Sequence, residues 1–588
     1  MANAIIDTFD LWTTAKNLKT SNRGLSASNQ NLLGIKKLRE LILELAVSGN
    51  LVSQNPNDDP PIKLFEKIKK GLTKGVQKGG KSCLEIREDE KLFNLPNEWM
   101  WVKFGAFFEV TSSKRIHVSD YVSDGIPFFR SKEIGELMNG NTISTDIFIS
   151  FEKYDELKEL AGFPNIGDLM LTSVGSIGNS WICDGRHFYY KDGNITKISS
   201  NQYSNMRFVQ IFINSPLFTL QVMNTVSGTA YNALTIIKLN NLSFPFPPLA
   251  EQHRIVAKVD ELMALCDQLE QQQTNSNEAH QTLVDTLLGA LTNAENPAAF
   301  EEAWQRISNH FDTLLTTEHS IDQLKQTILQ LAVMGKLVPQ NPDDEPASEL
   351  LKKIGKEKGR LGKEGKIKNL NSLPEINQDE KLFELPKGWV WEKMGNCSIL
   401  KGGFAYKSNE FLYDGVCQVI RMGNIRPDYL RLEENPVFVM PKVGKETAEY
   451  QLEAGDILLT MTGTKGKRDY LYSLIITAKH LIDRELFLNQ RLCLVRTFLF
   501  PEFLNMVLKN DKLLDSVYAK STGTANQANI GMSALNEWII PIPPLAEQKR
   551  IVTKVVGLLA LCDALKERLR DAQALQNQLA VAVVEQAV

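Results

Sequence analysis

The sequence predicts an α/β fold class. It comprises two similar mixed α/β domains separated by long helices, which pack as an antiparallel coiled coil under the pseudo-two-fold of a tandem duplication. Three observations predict this. The hexapeptide Pro247-Pro248-Leu249-Ala250-Glu251-Gln252 returns as Pro543-Pro544-Leu545-Ala546-Glu547-Gln548. Four further blocks repeat at nearly the same offset, so the period is about half of the 588 residues. That is far longer than the roughly 20–50 residues of a solenoid repeat. Behind each hexapeptide, apolar residues step by four and three: Ile255, Val259, Leu262, Cys266, Leu269 and again Ile551, Val555, Leu558, Cys562, Leu565. That is an a/d seam. Each stripe needs a cover, and the economical one is the other stripe, the two repeated helices packing against each other; the alternative is that each helix packs on its own domain.

Each unit runs through the same parts in the same order. A helical block (Leu38 to Val47; Leu324 to Val333) stops at Gly49 or Gly335, the residue type that ends helices. An Asn/Asp/Pro-rich turn follows, containing Gln54-Asn55-Pro56 or Gln340-Asn341-Pro342. Next come a short helix and a Lys/Gly-rich stretch, residues 67–81 and 352–368, whose composition reads as a mobile linker or loop. Asp89-Glu90-Lys91-Leu92-Phe93 with Leu95-Pro96 and Trp99 matches Asp379-Glu380-Lys381-Leu382-Phe383 with Leu385-Pro386 and Trp389. Short β-branched and aromatic runs punctuated by Gly-Asp and Asn-Gly turns then make a mixed domain, with Gly167-Asp168 matching Gly455-Asp456. At the hexapeptide a long helix begins, its prolines before the first turn and its Glu within it, where the dipole favours an anion.

Composition excludes several classes. Hydrophobic content is 43%, and no apolar run reaches the length that spans a bilayer. The N-terminus lacks a basic n-region, so it does not read as a signal peptide. Seven cysteines (Cys83, Cys183, Cys266, Cys397, Cys417, Cys493, Cys562) form no C-x-x-C pair, which favours a reducing cytosol. The histidines form no metal-ligand spacing. A net charge of −4 and a pI near 6.1 give no global sign of nucleic-acid binding, so such a function must rest on local patches.

Two motifs suggest catalysis and lack its context. Gly75 to Ser82 fits G-x-x-x-x-G-K-S, but a charged, helix-patterned segment precedes it where phosphate binding needs a buried strand. The duplicate lacks the motif. Asp59-Pro60-Pro61-Ile62 resembles the D-P-P-aromatic loop of amino-methyltransferases, with an Ile that cannot stack on a base. What remains is a set of polar, glycine-containing loops at matched places. Ser227-Gly228-Thr229 with Asn232 corresponds to Thr522-Gly523-Thr524 with Asn526-Gln527. Thr172-Ser173-Val174-Gly175-Ser176 corresponds to Thr460-Met461-Thr462-Gly463-Thr464, the latter running on into Lys465, Lys467 and Arg468. Arg130 and Lys132 correspond to Arg421 and Asn424; Lys114 and Arg115 add charge to the first domain and Arg426 to the second. Hydroxyls and backbone N–H groups clamp phosphates, and Arg, Asn and Gln reach base edges. Taken singly, any of these loops also reads as a solvated turn.

The Pro-Leu-Ala-Glu-Gln signature, twice at this spacing, with the duplicated Leu-Ala-Val and Gln-Asn-Pro blocks, resembles the specificity subunit of type I restriction–modification enzymes over nearly the whole chain. The resemblance implies a helical region at 1–97, target-recognition domains at 98–246 and 389–540, a central conserved region with a spacer helix at 247–388, and a second spacer helix at 541–588. It implies that each domain reads one half of a split, asymmetric site in double-stranded DNA. The helices would act as a ruler and dock the partners, two modification and two restriction subunits. S-adenosylmethionine, ATP and Mg2+ would then bind the partners, this chain being non-catalytic, cytoplasmic and without a membrane. A spacer helix of about 30 residues is about 45 Å long, comparable to the roughly 34–36 Å of one duplex turn. Two other readings stay open from the residues: a DNA methyltransferase or NTPase in its own right, and a duplicated scaffold that binds only proteins.

Overall fold

The computed structural model describes Trp12 and residues 33–63, 86–143, 145–160, 162–226, 233–365, 367, 373–427, 429–524 and 526–587. The G-x-x-x-x-G-K-S stretch and the Ser227 to Asn232 loop lie outside the described residues. The chain forms two compact units, residues 1–277 with 571–588, and residues 278–570.

In the first unit the helix Leu33–Ser48 buries Ile35, Leu38, Leu41, Ile42 and Leu45 and ends at Gly49. Its core continues through Trp99, Phe104, Phe208, Phe212, Phe244 and Phe246. One sheet orders Val110–Thr111, Ile195–Ile198, Leu169–Thr172 and Ser180–Ile182, all antiparallel. A second sheet joins Ile126–Phe129 to Tyr189–Tyr190 in parallel. Met100–Lys103 pairs with Ser243–Phe246, so the strands that open and close the domain are neighbours.

The second unit repeats this plan. The helix Glu318–Val333 buries Ile321, Ile328, Leu329, Leu331 and Val333. The sheet order is Ser398–Gly402, Leu492–Thr497, Ile457–Thr460, Ser473–Ile475. Cys417–Ile420 pairs in parallel with Glu485–Leu488, and Val390–Lys393 with Ile539–Ile542 closes the domain. Asp168 and Asp456 are buried at matched turns, paired with Lys197 at 3.3 Å and Arg496 at 2.8 Å.

One junction in each unit gathers the repeated blocks. The Gln252 amide donates to its own Pro247 carbonyl at 3.0 Å and accepts from the Asn205 N–H at 2.8 Å. The Gln548 amide does the same with Pro543 at 2.9 Å and the Phe500 N–H at 3.0 Å. Buried Glu251 accepts from Gln54 at 2.7 Å, and buried Glu547 from the Trp389 indole at 3.0 Å. Burial lifts both carboxyls above their ordinary range. Arg254 grips Asp58 at 2.7 Å and Arg550 grips Asp344 at 2.5 Å. Gly49 and Gly335, at φ of 79° and 70°, lie where a Cβ would stand 2.5 and 2.4 Å from the Cγ of Pro96 and Pro386. The sequence repeats these blocks because they touch one another.

The long helices are Leu249–Asn293 and Leu545–Ala587, of 45 and 43 residues. The first exceeds the expected length of about 30, because the polar stretch Gln271 to Asn277 that seems to end its stripe contains no Gly or Pro. Its amides bond at i,i+4 (Gln271 to Asn275, Gln273 to Asn277), and the stripe resumes at Val284, Leu288 and Leu291. Within the first unit, Ile255, Val259 and Cys266 share a core with Ala580 near the end of the second helix. Within the second unit, Ile551, Val555 and Cys562 share a core with Val284, Leu288 and Leu291 near the end of the first. Start meets end in each, so the pairing is antiparallel. The expectation that the Ile255 and Ile551 stripes meet each other is corrected: they lie in different cores. An antiparallel pair of helices this long sets each opening stripe against its partner's closing turns. Each stripe also packs on its own unit, as the alternative reading had it. Arg39 pairs with Asp267 at 2.6 Å, Lys325 with Asp563, and Arg570 with Glu318 at 2.8 Å.

A second correction concerns residues 352–368, read as a mobile loop. Most of that stretch belongs to the helix Ala347–Lys363. Leu350 and Ile354 are buried on one face, and Lys358 Nζ donates to the Gly395 carbonyl at 2.5 Å. Its lysines weight the composition, yet the apolar residues between them keep a helical period. The matching stretch 67–81 lies outside the described residues.

Candidate nucleic-acid interface

In each domain two parallel strands end side by side. Ile126–Phe129 and Tyr189–Tyr190 lead into Arg130 and Lys191; Cys417–Ile420 and Glu485–Leu488 lead into Arg421 and Asn489. The crevice beyond the carboxyl ends of parallel strands is a habitual ligand position in α/β sheets. The first turn is built alike in both. The Arg130 N–H donates to Glu133 at 2.7 Å, and the Arg421 N–H to the Asn424 side chain at 2.9 Å.

The charge of the two turns differs. Arg130 is spent within its domain, bonded to buried Glu133 at 2.9 Å and to Asp146 at 3.1 Å, and the Glu133 bond holds its guanidinium more firmly charged. Among the described residues the Arg421 guanidinium meets only a carbonyl, that of Asn435 at 2.7 Å. It lines a cleft of about 650 Å³ with Arg426 and Arg491, in which Glu434 is the acid. Glu434 is already held by Arg431 at 2.6 Å.

The remaining sequence-derived residues divide by accessibility. Lys114 and Arg115 are exposed, and Lys132 is exposed beside Glu136 at 3.7 Å. Thr172 and Ser173 are 0% and 3% exposed. Thr172 donates to the Ser176 carbonyl and Ser173 shares a bond of 2.6 Å with Thr196, so both hold the turn together and only Ser176 reaches the surface. Thr462, 6% exposed, bonds to the Asn529 side chain, and Asn424, 4% exposed, donates to the Arg431 carbonyl. These four are corrected from direct contacts to supports: a hydroxyl or amide in a Gly-rich turn satisfies the backbone as readily as it meets a ligand. Lys465, Lys467 and Arg468 are exposed, with Arg468 held by Asp511 and Asp515 over the Tyr518 ring. Desolvation lifts the Asp469 carboxyl, but the N–H and hydroxyl of Thr464 outweigh it and hold it below its ordinary range.

The matched loops converge in space. Thr462–Gly463 and Thr522–Gly523 both pair with Ala528–Asn529, which places exposed Thr522, Gly523, Thr524 and Asn526 beside the Thr464 turn; Gln527 is half-buried there. In the first domain Val174 bridges Ala233, and the Leu234 N–H donates to the Ser173 carbonyl at 2.9 Å, the counterpart of Ile530 to Met461. Its Ser227, Gly228, Thr229 and Asn232 are outside the described residues. Sequence reasoning missed Asn489, Gln490 and Arg491. The available signal was a polar triplet set between the apolar runs Leu486 to Leu488 and Leu492 to Val495.

The model of the type I restriction modification DNA specificity domain matches residues 96–278 and 386–572. The type I restriction enzyme EcoAI specificity subunit of Escherichia coli is 36% identical over 99% of both chains, and the EcoEI specificity subunit of Escherichia coli is 35% identical over 99% of both. Among solved structures, the HsdS subunit from Thermoanaerobacter tengcongensis aligns at 17% identity with a TM-score of 0.40, covering 85% of this chain and 98% of that one.

Proposed function

The chain belongs to the family of type I restriction modification DNA specificity proteins, and from that premise we propose that it reads a two-part, asymmetric site in double-stranded DNA, one half with each domain. The observation that carries this reading is the junction. The same Gln, Arg and Gly contacts recur in both units, each beside a buried Glu, and hold two domains whose exposed loops differ in sequence and charge. A shared mount with divergent loops suits two independent readers. Exposed Lys114, Arg115, Lys132 and Ser176 in one domain, and half-buried Arg421 and Arg426 with exposed Lys465, Lys467, Thr522 and Asn526 in the other, supply the phosphate and base-edge chemistry.

Modification and restriction subunits are its partners, proposed as two of each, docked along the long helices. Those helices also fix the unread gap. Adenine methylation, translocation and cleavage, with S-adenosylmethionine, ATP and Mg2+, then fall to the partners, and the complex works in the cytoplasm. Among the described residues no helix is long and apolar enough to cross a membrane. Ile62 in the D-P-P segment is exposed, and neighbouring Asp58 is occupied by Arg254, which supports a structural part for that turn.

The test is a domain exchange. Residues 98–246 are replaced by those of a relative with another target, and the methylated motif is mapped in cells carrying the whole system. One half of the motif changes while the other half and the gap persist. A change in both halves together would overturn the two-reader scheme.

A further inference from the structure

Three arginines line the cleft of the second domain, and none of them has a carboxylate partner among the described residues. Arg421 and Arg426 donate to main-chain carbonyls of Asn435 and Ile425, and among the described residues no hydrogen bond or ion pair ties the Arg491 side chain. Elsewhere in that domain Arg431, Arg468, Arg484 and Arg496 are all paired with acids. Three uncompensated guanidinium groups around one cleft repel one another, so their grouping favours an anionic or hydrogen-bond-accepting occupant.

The far wall is Asn489-Gln490-Arg491, and its main chain is pinned on three sides. The Asn489 N–H donates to the Ile420 carbonyl at 3.2 Å, the Gln490 N–H to the Phe404 carbonyl at 2.8 Å, and the Arg491 carbonyl accepts from the Met461 N–H at 3.0 Å. Gly403 permits the approach, since a Cβ there would stand 1.9 Å from the Asn489 carbonyl oxygen. Arg491 sits at φ of 69°, a conformation that costs any residue but glycine energy. The Gln490 and Arg491 side chains are nonetheless exposed. A rigid, strained backbone that presents solvated side chains is the mark of a functional loop.

We propose that Asn489-Gln490-Arg491 is a base-reading loop of the second domain, with Arg491 taking the O6 and N7 edge of a guanine; this rests on the DNA-reading function above. Asn and Gln match the paired donor and acceptor of adenine, and the Arg fork matches guanine. Arg421 and Arg426, across the cleft, are placed to hold the strand that carries those bases. The equivalent loop of the first domain, Lys191-Asp192-Gly193-Asn194, carries no Arg, so the first half-site is read by other means.

The test uses the complete complex carrying Arg491→Gly or Arg491→Lys. Glycine relieves the left-handed backbone, so the first variant keeps the loop folded; lysine keeps the charge and loses the fork. Both variants should relax one G·C position in the second half of the methylated motif. Discrimination there should fall about 5- to 150-fold, with the first half intact and the salt dependence of binding preserved in the lysine variant. An unchanged motif would overturn the proposal. So would Arg491→Lys behaving as wild type while Arg491→Gly weakens all sequences alike, since that is a phosphate contact. A wild-type complex whose motif is not in two parts would instead sink the two-reader function, leaving no second half-site to relax.

Discussion

Gly335→Ala should loosen the second junction by more than backbone strain alone. Two costs add. The residue holds φ at 70°, where an L side chain costs about 1–2 kcal/mol. The new Cβ also lands 2.4 Å from Pro386 Cγ and 3.0 Å from the Trp389 ring, and overpacking of this kind costs about 1–3 kcal/mol. Together they give about 2–5 kcal/mol. Gly365→Ala is the matched control: φ is 69° and none of the described residues lies within 4 Å of its Cβ, so the backbone cost alone applies. A chain with two units does not unfold in one step, which makes a single midpoint a poor readout. Amide hydrogen exchange reports each opening separately. In Gly335→Ala, protection of the Leu331, Ala332 and Val333 amides should drop about 30-fold or more, since about 1.4 kcal/mol is tenfold. Gly365→Ala should lose about 5- to 30-fold at the end of its own helix. Equal losses at the two sites would refute the claim that the Pro386 and Trp389 contact makes glycine obligatory at the junction.

Two further outcomes follow from the same structure. Burial raises the Glu547 carboxyl, so the folded state binds its proton more tightly than the unfolded state. Its stability contribution is fully present below the ordinary carboxylate value and is lost as pH rises through the raised one. Glu547→Gln should therefore gain on wild type as pH rises from below the ordinary carboxylate range to well above it in parallel denaturation series, and a pH-independent difference would exclude the buried carboxyl as the source. Inserting seven residues into each long helix within its exposed middle, near Gln273 and Gln573, preserves the stripe and adds about 10 Å. At about 3.4 Å per base pair the unread gap should lengthen by about three pairs with both half-sites kept; a mapped motif with its gap unchanged would remove the ruler.

Contacts within the repeated blocks were legible because they repeat. Gln252 and Gln548, or Gly49 and Gly335, announce themselves twice, and two copies of one local solution point to one geometry. The antiparallel helices were legible in kind, from the four-three spacing. Their length and partners were not, since Gln271 to Asn277 removes the apolar signal while leaving helix propensity intact. The site was the least legible. Thr172 and Ser176 are near neighbours of like chemistry, yet only one reaches the surface, and that depends on which hydroxyl the turn consumes. Arg130 and Arg421 occupy equivalent positions, and it is the nearby Glu133 and the more distant Asp146 that offset the charge of one of them. Arg491 lay hidden because the strand pairing that brings it to Arg421 joins segments some seventy residues apart.

The buried cysteines of the two helix stripes carry a practical consequence. Cys266 and Cys562 lie 1% and 5% exposed in the two helix cores, and burial raises both thiols, so neither offers a ready thiolate. Their alkylation must wait until the helices part. Each core thus contains its own clock: the rate at which a thiol reagent reaches Cys266 or Cys562 measures how often that core opens. Because the two thiols sit in different cores, a mass shift assigned to one or the other tells which end of the helix pair yields first, in free chain or in the assembled enzyme.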